Sequence, residues 1–367
     1  MNVLIVSGIW PPDVGGPASH APEVAAYLRE HGHAPHVLVT ANRAPAPEDY
    51  PVDWVSRAAP PGVRHLQALA AVRRLARQSD VVYSTGMFGR SGAGSLAARR
   101  PYVLKLTADP AFERARRRGL FHGSIADFQS RRDPLTLPFR AARDAIVRRA
   151  AHVICPSSFL AQLTVGWGVP PERVDVLPNP APDASAVVDR AEARARHGFD
   201  GTTLVFGGRL TEQKSLELAV DAARRAGVRL VIAGDGPARA GLERAGGATF
   251  LGAQTRETVL ELFRAADASI LTSSWENFPH GVVESLAVGT PVIATAVGGV
   301  AEVVTDGENG LLVKSGDVEA LTAAIERYVS DDALAARLRA NAVPSVERYS
   351  RDRVYGRLLE ILRQAAR

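Results

Sequence analysis

The sequence predicts two α/β domains, each a doubly wound parallel sheet covered by helices on both faces. Three observations predict this fold class. Short apolar runs alternate with amphipathic helical patterns almost from end to end. The alternation breaks once, in the segment 178–202, which is rich in Pro, Ala and Asp and is followed by a fresh strand. The length of 367 residues also suits about two domains.

The predicted strands form one series before the break and one after it. Helices are expected between them, for example over 18–30, 216–226 and 257–266. The first series is Val3–Val6, His36–Thr40, Val81–Ser84, Tyr102–Leu106 and His152–Cys155, and the second is Thr203–Phe206, Leu230–Ala233, Thr249–Leu251, Ala268–Leu271 and Pro291–Ala294. We therefore expect a first domain over 1–180, a second over 181–345 and a final helical segment over 346–367.

Composition excludes several classes of protein. Hydrophobic residues make up 46% of the chain and charged residues 23%, a globular mixture that excludes a disordered or collagen-like chain. The single cysteine, Cys155, excludes a disulfide framework and a cysteine-built zinc site. The N-terminus reads as a first strand rather than a signal peptide, and the longest uncharged stretch, 150–171, is broken by Pro and Gly. We expect a cytoplasmic protein without a membrane span.

The positive charge is concentrated in one segment. The net charge is +5, and the segment 113–149 holds ten arginines against four acidic residues. A solvated helix face is the interpretation that we favour. A weak peripheral contact with an anionic membrane, or with a phosphorylated acceptor, is the alternative. Aromatic residues are sparse, at 6% of the chain, which argues against a nucleic-acid partner.

Two glycine loops carry the features of phosphate binding. Gly15 and Gly16 follow the first strand and precede a predicted helix, so backbone can approach a ligand and helix N–H groups can face an anion. In the second domain, Gly208 and Arg209 end a strand, and Lys214 follows at the next helix start. Two cations so placed can grip a diphosphate, although a surface Arg and Lys near a turn would look the same.

A third loop, Gly234–Asp235–Gly236, follows the next strand of the second domain. Its glycine spacing does not meet the dinucleotide-binding fingerprint, and the chain contains no P-loop sequence. The loop is a tight turn after a strand, and we expect Gly234 and Asp235 among the substrate-binding residues.

The most informative segment places two carboxylates around a helix start. Glu276 follows a strand, residues 277–279 form a turn, and Glu284 lies about one turn into the helix that runs over 280–288. A carboxylate can accept two hydrogen bonds from a vicinal diol, and a nucleoside diphosphate sugar offers one diol on its sugar and one on its ribose. Two solvated acids flanking a turn explain these residues equally well.

The sequence E-N-F-P-H-G-V-V-E, followed by A-V-G-T-P-V-I-A-T, resembles the signature of the family 4 glycosyltransferases. The resemblance extends over essentially the whole chain and includes Gly15–Gly16, the G-G-R-L…K run and A-G-D-G-P. It implies the GT-B fold, in which two Rossmann-like domains face each other across a cleft and a C-terminal helix returns to the first domain. It also implies retaining transfer from a nucleoside diphosphate sugar.

The resemblance also implies roles for individual residues. Arg209 and Lys214 would hold the diphosphate, Glu276 the donor-sugar hydroxyls and Glu284 the ribose hydroxyls. The family lysine is often followed by glycine, whereas this chain has Ser215. Backbone groups would complete the donor site, those of Asn277, Phe278 and Pro279 at the sugar and those of Leu251 and Gly252 at the nucleobase.

The first domain departs from the family pattern. A histidine often faces the cleft in this family, but the corresponding run, YVLKLTADPAFERARRRG, has none. Asp109 is the polar residue best placed at the carboxyl end of the strand. We expect it to contact donor-sugar or acceptor hydroxyls, with capping of the next helix as the alternative.

The function expected from this resemblance is transfer of a sugar, from a UDP-sugar as the first choice, to a hydroxyl of a small-molecule, sugar or lipid-linked acceptor. The chain contains no Asp-x-Asp sequence, so we expect no metal and no cofactor besides the nucleotide-sugar co-substrate. Three clustered histidines, His31, His33 and His36, suit a polar connector better than a metal site. A sugar-nucleotide epimerase of the same shape and a non-catalytic sugar-binding protein remain the alternatives.

Overall fold

The computed structural model describes residues 1–11, 13, 16–131 and 133–367. For residues 16–19 it describes the backbone only. The chain divides into two compact units. The first contains Met1–Pro178 together with Val354–Arg367, and the second contains Asn179–Arg353. Each unit is built on one parallel sheet, as the sequence predicts.

The first unit has a seven-stranded sheet in the order β3-β2-β1-β4-β5-β6-β7. Every pair of neighbouring strands is parallel. Its strands are β1 (Asn2–Ser7), β2 (Ala34–Ala41), β3 (Val52–Ser56), β4 (Val81–Ser84), β5 (Tyr102–Lys105), β6 (His152–Cys155) and β7 (Val174–Val176). Its helices are α1 (Gly16–Glu30), α2 (Pro61–Ala76), α3 (Phe88–Ala98), α4 (Pro110–Arg117), α5 (Ile125–Ser130), α6 (Leu137–Val147) and α7 (Ser158–Gly166).

The second unit repeats this plan with a six-stranded parallel sheet in the order β10-β9-β8-β11-β12-β13. Its strands are β8 (Thr203–Gly207), β9 (Arg229–Ala233), β10 (Thr249–Gly252), β11 (Ala268–Leu271), β12 (Val292–Thr295) and β13 (Gly310–Val313). Its helices are α8 (Arg190–His197), α9 (Leu216–Arg225), α10 (Arg239–Ala245), α11 (Arg256–Ala265), α12 (His280–Ala287), α13 (Val300–Val303), α14 (Val318–Ser330) and α15 (Asp332–Val346).

Apolar residues cover both faces of each sheet, which explains why the central strands are continuous apolar runs. In the first unit, Val3 and Ile5 of β1 point into one cluster, while Leu4 and Val6 point into the opposite one. In the second unit, Leu204 and Val205 of β8 divide in the same way. Alternate side chains of one strand therefore anchor helices on opposite faces.

The last helix, α16 (Arg351–Ala365), packs with the first unit. Tyr355, Leu358 and Leu362 of this helix lie in the same apolar cluster as Val3 and Tyr27. Among the helices of the described residues, none is long and apolar enough to cross a bilayer.

Candidate functional site

The second sheet brings the predicted donor-site residues to one edge. β8 and β11 are neighbours, but the chain leaves β8 towards β9 and leaves β11 towards β12, on the opposite side. Such a reversal point opens a crevice at the carboxyl ends of the strands, where α/β proteins bind ligands. The loops that follow β8 and β11 carry Arg209, Lys214 and Glu276.

Glycines allow the loops after β8, β9 and β10 to touch one another. The backbone N–H of Gly208 donates to Ala233, and that of Gly234 donates to the carbonyl of Gly252 at 2.8 Å. Gly234 has a φ of +155°, and a Cβ there would overlap the carbonyl oxygen of Gly208. The predicted glycines Gly208, Gly234 and Gly252 therefore join in one backbone seam, in which the close approach excludes a side chain.

Lys214 and Glu276 form an ion pair across the reversal point. The Lys214 ammonium donates to Oε1 of Glu276, and the Ser273 hydroxyl donates to the same oxygen at 2.6 Å. The side chain of Lys214 is 20% exposed and that of Glu276 is 8% exposed. Among the described residues, Oε2 of Glu276 has no hydrogen-bond partner, so one carboxylate oxygen is held in place and the other is open to a ligand.

Backbone and side-chain hydrogen bonds tie the two loops together. Lys214 lies in a short 3-10 turn, and its carbonyl accepts the hydroxyl of Thr272 at 2.8 Å. The side-chain amide of Gln213 donates to the carbonyl of Trp275 at 2.8 Å. The backbone carbonyl of Gln213 accepts from the N–H of Ser274. The geometry of the Lys214–Glu276 pair is therefore set by both loops together.

Ser215 explains the family preference for glycine after this lysine. It adopts the left-handed conformation, with φ +44° and ψ +45°, and it ends the 3-10 turn and begins α9. Glycine reaches this conformation without a Cβ penalty, whereas serine reaches it at a cost of the order of 1 kcal/mol. The substitution preserves the turn, and Lys214 still reaches Glu276.

Arg209 lies in the loop after β8, five residues before Lys214, and its side chain is exposed. In the described part of the chain it forms no ion pair and no hydrogen bond. The structure therefore places one paired cation, Lys214, and one unpaired cation, Arg209, in the loop after β8.

The turn at 277–279 presents backbone rather than side chains. Phe278 is 7% exposed and packs edge-on against the ring of Tyr349, with centroids 5.7 Å apart. Asn277 is buried as well, and Pro279 caps α12 without a side-chain hydrogen bond. The carbonyl of Phe278 already accepts from the N–H of His280, and that of Pro279 accepts from Val282 and Val283. This turn can therefore offer a ligand the backbone of residues 277–279 through N–H groups and second carbonyl lone pairs rather than through side chains.

Glu284 lies in α12 and pairs with a residue that sequence analysis missed. Nε of Arg256 is 3.3 Å from Oε1 of Glu284. Burial raises the pKa of Glu284 above its ordinary value, and the nearby Arg256 guanidinium opposes this shift. Arg256 begins α11 directly after the β10 loop. The one signal for it in the sequence was a cation at the carboxyl end of a strand.

The loop after β10 offers a ligand less than expected. The carbonyl of Leu251 already accepts from the side chain of Gln254 at 2.7 Å, and that of Gly252 accepts from Gly234. Asp235 is exposed, and its Oδ1 accepts from the N–H of Gly236. Leu251 and Gly252 therefore contribute N–H groups or second lone pairs to any nucleobase contact, rather than free carbonyls.

The first unit corrects the prediction for Asp109. Its side chain has 0% exposure, caps α4 through the N–H groups of Ala111 and Phe112, and forms an ion pair with Arg143 at 2.6 Å. The side chain of Gln129 donates at 2.8 Å to Oδ2 of Asp109, the oxygen that Arg143 also contacts. Because these partners saturate a buried carboxylate, Asp109 holds α4, α5 and α6 together and does not contact a sugar hydroxyl.

The remaining predictions for the first unit concern two glycines and three clustered histidines. Gly15 lies outside the described residues, while Gly16 is the first residue of α1. His31 contacts the carbonyl of Tyr27, and His36 pairs with Asp53, so two of the three clustered histidines have separate partners. Among the described residues, no group of three or more His, Cys, Asp or Glu side chains could hold a metal ion.

Comparison with known proteins identifies the family. The model for a glycosyl transferase 4-like domain matches residues 15–180, and that for glycosyl transferases group 1 matches 189–343. The chain belongs to the family 4 glycosyltransferases. As a member of this family it has the GT-B fold. Sucrose-phosphate synthase from Thermosynechococcus elongatus superimposes with a TM-score of 0.81 at 21% identity, covering 99% of this chain and 98% of that one.

Curated relatives of this glycosyltransferase match only in part. The D-inositol 3-phosphate glycosyltransferase of Rhodococcus jostii (strain RHA1) is 33% identical over 230 residues, which cover 56% of this chain and 50% of the relative. The alpha-D-kanosaminyltransferase of Streptomyces kanamyceticus is 30% identical over 221 residues, covering 56% and 57%. The chain spans about half the length of the curated relatives it matches. Anabaena HepE, solved with UDP and glucose, has a TM-score of 0.78 at 22% identity, covering 99% of each chain.

Proposed function

We propose that this glycosyltransferase is a retaining, cytoplasmic enzyme that moves a sugar from a nucleoside diphosphate sugar to a hydroxyl of a small-molecule, sugar or lipid-linked acceptor. A UDP-sugar is the first choice of donor. The observation that carries this proposal is the arrangement of Arg209, Lys214 and Glu276 at the reversal point of the second sheet. Lys214 pairs with a carboxylate that keeps one oxygen open, and exposed Arg209 lies in the same loop as Lys214.

The cations suit the charge that develops during transfer. The bond between the anomeric carbon and the diphosphate oxygen breaks, and its electron pair remains on the diphosphate. A bond forms to the acceptor oxygen, and the proton of the acceptor hydroxyl passes to an oxygen of the departing diphosphate. Exposed Arg209 and partly exposed Lys214 can stabilise the departing diphosphate, and fixed charges so placed are typically the largest contribution to catalysis. We propose that these cations replace a bridging metal.

The carboxylates suit the two diols of the donor. Oε1 of Glu276 is held by Lys214 and Ser273, so Oε2 is oriented to accept from hydroxyls of the donor sugar. Glu284, in the next helix, would accept from the ribose, with Arg256 keeping its carboxylate charged. Retention follows either from a covalent sugar–enzyme step or from attack on the face that the diphosphate leaves, and the residues named here serve both routes.

The comparisons support a nucleotide-sugar donor and leave a choice of acceptors. HepE was solved with UDP and glucose, and relatives bear the names of transferases that act on inositol 3-phosphate and that transfer kanosamine. The first name indicates a phosphorylated polyol as acceptor and the second indicates kanosamine as the transferred sugar, and both belong in a screen of this chain.

A thermal-shift screen over nucleoside diphosphates and their sugars tests the donor. A ligand at 100 times its Kd adds about 2.7 kcal/mol to the stability of the folded state, which corresponds to a rise in Tm of about 5–10 °C. We expect UDP and at least one UDP-sugar to give such a rise. We also expect the transfer activity to be the same with and without a chelator. No shift with any nucleotide would contradict the proposal, and activity that needs added manganese would contradict metal independence.

A further inference from the structure

Three arginines of the first unit lie in helices that begin at the carboxyl edge of its sheet. Arg64 lies in the first turn of α2, which follows β3, Arg90 in the first turn of α3, which follows β4, and Arg114 in α4, which follows β5. His65, beside Arg64, completes the group. We call these four residues the arginine cluster.

Defined contacts hold the arginine cluster in place. Nη1 of Arg90 is 3.0 Å from Nδ1 of His65, so the arginine donates and the imidazole accepts in its neutral form. Nη1 of Arg64 donates to the carbonyl of Arg57 at 3.2 Å. The guanidinium of Arg114 lies 5.6 Å from the centroid of the Phe139 ring. Each arginine is thus positioned by a neutral group.

The positive charge of the cluster is not neutralised within the described residues, where none of its three arginines forms an ion pair with a carboxylate. Burial lowers the pKa of Arg90, and the charges of Arg64 and Arg114 lower it further. Burial also lowers the pKa of His65, with the same three arginines as the next causes. Neighbouring Arg57, by contrast, pairs with a carboxylate.

Some arginines of the segment 113–149 differ from the cluster in this respect. Arg143 pairs with Asp109 and Asp144, and Arg131 pairs with Asp133. The concentrated charge of that segment is thus partly neutralised internally. The unneutralised site draws only Arg114 from it and takes Arg64 and Arg90 from earlier in the chain.

We propose that Arg64, Arg90 and Arg114 bind a phosphate monoester carried by the acceptor, with His65 positioning Arg90. Arginine forks match phosphate oxygens in pairs, and three arginines close enough for their charges to act on one another supply more donors than a hydroxyl or a carboxylate needs. This inference rests on the proposed function in one respect: it takes the bound phosphate to belong to the acceptor. The phosphate can be part of a soluble sugar or polyol phosphate, or of a lipid.

The test uses inorganic phosphate as the probe and the full chain, with UDP present in excess to occupy the donor site. Binding is measured by isothermal titration calorimetry for the wild type and for R64Q, R90Q and R114Q. The control is R73Q, because Arg73 is an exposed arginine at the other end of α2. We expect saturable binding that each cluster variant weakens about tenfold or more and the control leaves within twofold. Equal binding in all variants, or none in the wild type, overturns the proposal.

Two further arms refine this result. R90K keeps the charge without the fork, and we expect binding between those of the wild type and R90Q; full wild-type affinity would contradict bidentate recognition. Vesicles of phosphatidylcholine with 20% phosphatidic acid separate the sources. Binding that R90Q abolishes and R73Q preserves indicates a lipid phosphate, and phosphate binding without vesicle binding indicates a soluble one. Vesicle binding reduced equally by R90Q and R73Q, as a diffuse charge would give, counts against the cluster.

The outcome is separable from that of the proposed function. UDP binding depends on Lys214 of the second unit, and phosphate binding depends on the cluster in the first unit. Phosphate binding lost in R90Q with no UDP binding at all would support the anion site and refute the glycosyltransferase mechanism. UDP binding without phosphate binding would refute the anion site and leave the glycosyltransferase mechanism supported.

Discussion

Replacing Lys214 with methionine separates the catalytic contribution of the lysine from its structural one. Methionine keeps much of the apolar stem and removes the ammonium that pairs with Glu276. Oε1 of Glu276 then keeps only the hydroxyl of Ser273 as its partner among the described residues.

The structure sets the expected loss of stability and the expected loss of turnover. Breaking a fully buried ion pair costs 3–5 kcal/mol, but the Lys214 side chain is 20% exposed, so we expect a loss of about 1–2 kcal/mol in the free energy of unfolding. Removing a fixed charge that stabilises a leaving group lowers turnover by about 10²–10³. Activity therefore falls far more than stability does.

Lys314→Met is the matched control. Lys314 is exposed, and within the described residues it forms no ion pair. We expect its unfolding free energy to stay within about 0.5 kcal/mol of wild type and its turnover to be unchanged. The assays are urea unfolding and release of nucleoside diphosphate at saturating donor. A folded Lys214→Met variant with turnover within tenfold of wild type would refute the proposed role, as would an equal loss in the control.

Three further predictions concern other parts of the molecule. Because burial raises the pKa of Glu284, we expect UDP affinity to increase as pH rises through the weakly acidic range and the carboxylate ionises; the terminal phosphate of UDP titrates in the same range, so calorimetry on Glu284→Gln should show a weaker dependence, and an unchanged one would exclude its role at the ribose. Burial lowers the pKa of Lys105 to about 7. Between pH 7 and 8.5 the unfolded chain therefore holds a proton that the folded protein releases, so stability should rise by up to about 1.4 kcal/mol per pH unit; urea melts of Lys105→Met should show a flatter rise, and an equal slope would place the effect elsewhere. Gly234→Ala should lose about 1–3 kcal/mol of stability, because its Cβ would meet the carbonyl of Gly208, while Gly241→Ala, which has open space in α10, should be neutral or stabilising; thermal melts that rank them the other way would contradict the seam.

The strands that sequence analysis missed share a position at sheet edges, although one edge strand, β10, was found. Val81–Ser84 and Ala268–Leu271 are predicted with their observed bounds, because both are central strands buried on two faces. The three that were missed, Val52–Ser56, Val174–Val176 and Gly310–Val313, all lie at sheet edges. Two of these are half-exposed, and an edge strand needs no continuous apolar run, so its sequence resembles a loop.

The residues of the candidate site also divide into features that the sequence shows and contacts that it does not show. Glycine loops and carboxylates at strand ends can be predicted from the sequence, because the residues that define them are close together in the chain. Partners distant in the chain are not visible, since Lys214 and Glu276 are 62 residues apart and Asp109 and Arg143 are 34 apart. Asp109 was misjudged for this reason, because position at a strand end does not show that a carboxylate is already saturated.

A crystal structure with UDP bound tests the central claim most directly. We predict that diphosphate oxygens lie within hydrogen-bond distance of the side chains of Arg209 and Lys214, and that a ribose hydroxyl donates to Glu284. A diphosphate bound elsewhere, with both cations more than about 5 Å from any phosphate oxygen, would contradict the account.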